Sequence, residues 1–91
     1  MFFVCFSPPR APQRYPGEIA CVFMEACSFT RAAPPPAGFL EGVRALCDQH
    51  GALLLFDEIS SAWRENCGGR HLLFGVAPDM ATFAKTISNG I

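Results

Sequence analysis

The sequence contains no Cys-x-x-Cys pair, no Gly-x-Gly-x-x-Gly turn, no cluster of basic residues, no internal repeat and only one lysine, Lys85. The cysteines, at positions 5, 21, 27, 47 and 67, are odd in number, which argues against a disulfide framework and for a reducing, cytoplasmic setting. Cys47 and His50 have Cys-x-x-His spacing, but no second pair completes a zinc site, so they read as helix-end residues and no metal is expected. Net charge is −1, and Arg10, Arg14, Arg31, Arg44, Arg64 and Arg70 are scattered, leaving no electrostatic footprint for nucleic acid. A nicotinamide-binding unit would need its glycine-rich turn after a strand, and neither candidate strand is followed by one. Residues 1–6 are apolar, but Pro8 and Pro9 cut the run short and no positive segment precedes it, so no signal peptide or membrane span is expected.

What is present is a 91-residue chain, 51% apolar and only 16% charged. That composition suits a buried interior better than a small, self-sufficient domain, and suggests missing neighbours. The alternative is a compact single domain with an apolar surface.

Residues 1–16 carry Pro8, Pro9, Pro12 and Pro16 and read as irregular, without an assignment. Residues 19–24 (Ile-Ala-Cys-Val-Phe-Met) fit a strand buried on both faces, ended by Glu25. Residues 28–36 form a loop stopped by Pro34-Pro35-Pro36. Phe39, Leu40, Val43, Leu46 and Cys47 then recur at helical spacing, with Glu41, Arg44, Asp48 and Gln49 on the other face. Gly51 is a natural C-terminal stop, giving a helix over 36–50. Residues 52–56 make a second buried strand. Strand, helix and strand at this spacing predict a parallel βαβ unit with a right-handed crossover. Residues 61–70 read as a loop with one helical turn, residues 75–78 as a turn, and residues 80–84 as a third strand with Lys85 at its exit.

In an open parallel sheet, ligands gather at the carboxyl ends of the strands. Glu25, Asp57 and Lys85 are all expected at those ends. Taken singly, Asp57 reads first as a loop-capping carboxylate and Lys85 first as a surface charge. The neighbours of Lys85 are the apolar Phe83, Ala84 and Ile87, an environment that would favour the free amine and its nucleophilic chemistry. Ser88-Asn89-Gly90 suits a tight turn at the mouth of a site.

Five segments, in order and at matching spacing, carry a family resemblance across residues 17–91. They are Ile19 to Glu25; Pro35-Pro36-Ala37-Gly38-Phe39-Leu40-Glu41-Gly42-Val43-Arg44; His50-Gly51-Ala52-Leu53-Leu54-Leu55-Phe56-Asp57-Glu58-Ile59; Phe74-Gly75-Val76-Ala77-Pro78-Asp79; and Thr82-Phe83-Ala84-Lys85. Together they resemble the middle of the class III, fold type I, pyridoxal-phosphate-dependent aminotransferases. Gly68-Gly69-Arg70-His71 and Ala84-Lys85-Thr86-Ile87-Ser88-Asn89-Gly90 are most similar to glutamate-1-semialdehyde 2,1-aminomutase-like members. The resemblance implies an α/β fold, a partial parallel-sheet large domain, and pyridoxal 5'-phosphate as cofactor. It implies transfer of an amino group to or from a small molecule through a lysine Schiff base. By the same resemblance Asp57 pairs with the pyridinium nitrogen and Ile59 packs on a ring face, where ordinary core packing is the alternative. Lys85 would form the Schiff base and then carry the proton between the substrate α-carbon and the cofactor. Full-length relatives are expected to be homodimers.

The chain departs from the family pattern at Ala26, where proline usually follows the strand-end glutamate, and over Cys27-Ser28-Phe29-Thr30-Arg31, where the family is glycine-rich. Within these 91 residues no glycine-rich phosphate turn lies before Ile19, and the small C-terminal domain that the resemblance implies is expected to lie outside them. The expectation is therefore a partial large domain over 17–91 that alone neither holds cofactor tightly nor turns over. The competing expectation is a truncated, non-catalytic fragment that folds only with a partner.

Overall fold

The structure, a computed structural model, describes residues 17–28 and 33–88. The irregular reading of 1–16, the middle of the 28–36 loop and the Asn89-Gly90 turn lie outside the described residues. Within them the order is β1 (Cys21–Met24), α1 (Phe39–His50), β2 (Leu53–Asp57) and β3 (Met80–Thr82), with short 3₁₀ stretches at Arg70–Phe74 and Lys85–Ser88. The three strands form one sheet in the order β1-β2-β3. Both pairings are parallel, as expected, with Cys21 opposite Leu53, Met24 opposite Phe56, and Asp57 opposite Thr82.

Five boundaries shift from the expected ones. β1 starts at Cys21 rather than at residue 19, because its partner starts at Leu53 and the ladder begins where the Leu53 amide donates to the Ala20 carbonyl. Helix α1 starts at Phe39, three residues late: Gly38 is left-handed at φ 78°, a conformation incompatible with a continuing helix. The Ala52 amide is drawn into the end of α1 by the Cys47 carbonyl, so β2 begins one residue later and extends through Asp57. β3 stops at Thr82 instead of residue 84, since the Glu58 amide donating to the Thr82 carbonyl is the last rung before the two chains diverge.

Leu40, Val43 and Cys47 of α1 pack on Leu54 and Phe56 of β2, with Ala26, Ala52 and Val76 closing the cluster. Expectation and structure differ on the far side of the sheet. Strand alternation sends Leu53 and Leu55 opposite to Leu54 and Phe56, and Leu53 is 45% exposed while Leu54 and Phe56 are fully buried. The strands were expected to be buried on both faces; among the described residues only α1 supplies a helical cover, and it lies on one face.

Asp79 locks this arrangement. Its Oδ2 accepts the Leu54 amide at 2.7 Å and Arg44 Nη1 at 2.8 Å, and its own amide donates to the Leu54 carbonyl at 2.8 Å. Arg44 also grips Asp48 at 2.7 Å, one turn along the helix. The Leu54 amide and the Arg44 guanidinium hold the Asp79 carboxyl below its usual range.

Gly51 ends α1 at φ 67°, its amide bonded to the Cys47 carbonyl, with open space where a Cβ would sit. The cost of a side chain there is purely conformational. Gly51→Ala is expected to destabilise the fold by about 1 kcal/mol, and Gly51→Asn by less. Urea unfolding checks this: an alanine variant as stable as the parent would contradict the left-handed cap.

Candidate functional site

Glu25 and Asp57 emerge at the carboxyl edge of the sheet, with Lys85 a little beyond it. Met24 sits opposite Phe56, so Glu25 follows at the level of Asp57. Asp57 sits opposite Thr82, and Lys85 lies three residues beyond that partner. The half-buried Asp57 side chain turns back on its own backbone, its Oδ1 accepting the Ile59 amide at 2.9 Å. This Asx-type bond fixes the carboxylate and tethers the half-buried Ile59 beside it.

From there the chain makes a tight turn, the Ala62 amide donating to the Glu58 carbonyl at 3.0 Å. Ser60, inside that turn, receives Lys85 Nζ on its hydroxyl oxygen at 2.6 Å. The two branches that leave β2 and β3 are thereby rejoined. The Trp63 and Phe83 rings meet at 4.8 Å and make a second tie between the same branches. Lys85 itself is exposed and adopts φ 49°. For a residue with a Cβ this is a strained conformation, of the kind retained where surrounding contacts dictate it. The lysine is thus not at the direct exit of β3, as expected, but at the first position of the 3₁₀ stretch Lys85–Ser88.

Glu58 is a further residue of this edge, outside the set expected from the sequence. It is completely buried. Its carboxylate accepts the Arg70 amide at 2.9 Å, the His71 amide at 2.8 Å and the His71 Nδ1 at 2.7 Å, together with the Ser61 hydroxyl. Burial pushes the Glu58 carboxyl up, but the hydrogen bonds from Ser61, His71 and Arg70 outweigh it and leave the group below its usual range. An ionised carboxylate only accepts, so Nδ1 of His71 carries the proton in this bond. A Cβ on Gly69 would lie 2.4 Å from the His71 ring and 2.9 Å from Glu58 Oε1, which explains a glycine there. The signal was available: alternation continues from Leu54 and Phe56 to Glu58 on the helix-covered face, where an acid needs partners.

The residues at this edge fit an aromatic aldehyde with a basic ring nitrogen. Asp57 offers a fixed carboxylate, Ile59 an apolar surface and Lys85 an amine. Thr82 adds a buried hydroxyl oxygen that has no hydrogen-bond partner among the described residues, opposite Asp57 in the register. Among the described residues no helix is long and apolar enough to cross a membrane.

Comparison with known proteins agrees with this architecture. Two glutamate-1-semialdehyde 2,1-aminomutases, from Nitratidesulfovibrio vulgaris strain DP4 and strain Hildenborough, are each 48% identical over 75 residues, covering 81% of this chain and 18% of theirs. An S-selective transaminase from Arthrobacter sp. superposes with a TM-score of 0.77 at 23% identity, over 88% of this chain and 18% of that one. A transaminase with PLP bound gives a TM-score of 0.79 at 28% identity, over 88% and 19%. The chain therefore spans less than a fifth of the length of these relatives. The model of the class III aminotransferases matches residues 10–91, and with that coverage the chain belongs to the class III aminotransferase family.

Proposed function

We propose that the chain supplies the cofactor-holding part of a pyridoxal-phosphate-dependent enzyme that moves amino groups on small molecules, as an aminotransferase or an aminomutase. The observation that carries the reading is the convergence of Asp57 and a conformationally strained Lys85 from neighbouring parallel strands onto one sheet edge. When bound, the cofactor supplies an electron sink that stabilises negative charge at a substrate carbon. Asp57 would hold a negative charge toward the ring nitrogen, Ile59 would exclude water from the ring, and Lys85 would be the amine that binds the aldehyde and the base for the proton at the substrate α-carbon. Residues 17–91 correspond to part of the large domain, the setting is cytoplasmic, and the whole enzyme is a homodimer.

The 91 residues alone are expected to hold the cofactor weakly and to show no turnover, because they span under a fifth of their relatives. A second reading, a non-catalytic fragment that folds only against a partner, is favoured by the exposed Leu53, Leu72 and Met80. One experiment addresses both. The chain is incubated with pyridoxal phosphate and reduced with borohydride, which traps even a weakly held aldehyde. Label on Lys85, absent from Lys85→Ala, is expected. Labelling confined to the α-amine, or rapid proteolysis throughout the chain with no Lys85 label, would favour the second reading.

A further inference from the structure

We infer that the Ser60 hydroxyl positions the Lys85 amine whenever that amine is not bonded to cofactor. The inference rests on the preceding assignment of Lys85 and adds a residue to it.

The contact itself is short for an N–H···O bond, 2.6 Å between Nζ and Oγ. Both of its ends are held before they meet. On the Ser60 side, Asp57 Oδ1 takes the Ile59 amide, Glu58 takes the Ser61 hydroxyl, and Arg64 Nε donates to the Ser60 carbonyl. On the Lys85 side, the backbone stands at φ 49° and its carbonyl accepts the Ser88 hydroxyl at 2.9 Å. An exposed lysine ordinarily keeps most of its rotamer freedom. Here the sole lysine of the chain is exposed, yet its tip is held by a residue 25 positions away.

The chemistry of the partner matters as much as its place. A carboxylate at this position would hold the amine as a cation and suppress its nucleophilicity. A hydroxyl accepts from an ammonium and donates to a neutral amine. Ser60 therefore keeps the amine in place through both protonation states, which is what a group that must attack, leave and then move a proton requires. Ser60 acts through Lys85 and is a positioning residue.

The test uses the full chain with pyridoxal phosphate as the probe and borohydride trapping at Lys85 as the readout, in the parent, Ser60→Ala, Ser60→Thr and Ser60→Val. Thr and Val are nearly isosteric and differ in the hydroxyl. The trapping rate is expected to fall about tenfold in Ala and Val, the scale of one hydrogen bond, and to stay within about twofold in Thr. A second measurement needs no cofactor. Lysine labelled with nitrogen-15 gives one Nζ signal, expected away from the free-lysine position in the parent and at it in Ser60→Ala. If Lys85 is trapped but Ala and Val match the parent, or Thr falls with them, the inference is overturned and the functional assignment survives. If the parent Lys85 is never trapped, both are overturned.

Discussion

Replacing Glu58 by alanine is expected to destabilise the fold by about 3–5 kcal/mol, the penalty for stripping a buried acid from its partners. The change strands the Arg70 and His71 amides, the His71 Nδ1–H and the Ser61 hydroxyl, all of which end on this one carboxylate. Domains of this length hold only on the order of 5–14 kcal/mol in total. The variant should lose about 2 M in its urea midpoint at an ordinary slope for a small protein, and a loss under about 0.3 M would mean that the carboxylate is dispensable. Acidity provides an independent check. Because the folded carboxyl lies below its ordinary value of 4.5, the unfolded chain binds the proton first as pH drops. The stabilisation is complete above that value and fades as pH falls through the lowered one. Glu58→Gln should lack that acid-dependent component while keeping the shape of the side chain.

The second large effect concerns Asp57. A carboxylate about 4 Å from a protonated ring nitrogen contributes on the order of 4 kcal/mol at an effective dielectric near 20, or about three pKa units. Asp57→Asn keeps an oxygen for the Ile59 amide, so the local turn survives and only the charge is removed. The adduct trapped on Lys85 retains the pyridine ring, whose nitrogen can be titrated by absorbance. It is expected to titrate about three units lower in Asp57→Asn than in the parent. Identical titrations would show that the carboxylate does not face the ring, and the functional assignment would lose its electrostatic half.

The fold was legible wherever a local pattern dictated the outcome. The apolar runs of β1 and β2, the helical spacing of Leu40, Val43 and Cys47, and the stop at Gly51 all act within a few residues. Boundaries moved where a pairing partner decided them, as when Thr82 drew Asp57 into β2. Glu58 and Asp79 escaped notice for a related reason. Their work is done through partners 13 and 25 residues away, respectively, and no periodicity announces such bonds. The open face of the sheet was misjudged because a run such as Leu53-Leu54-Leu55 is apolar on both sides whether or not a cover is present. At the site, Asp57 and Lys85 stood out through family motifs, whereas Ser60 became visible only once the two strand exits had been brought together.

The clamp at Asp79 also bears on how the molecule is made. Arg44 must wait for a partner 35 residues downstream. At ribosomal rates of roughly 5–20 residues per second, that delay is about 2–7 s. During it the Asp48 carboxylate, four residues along the same helix, is already synthesised and can occupy the guanidinium. The nascent helix therefore carries a counter-ion of its own, which it keeps once the Asp79 contact has formed.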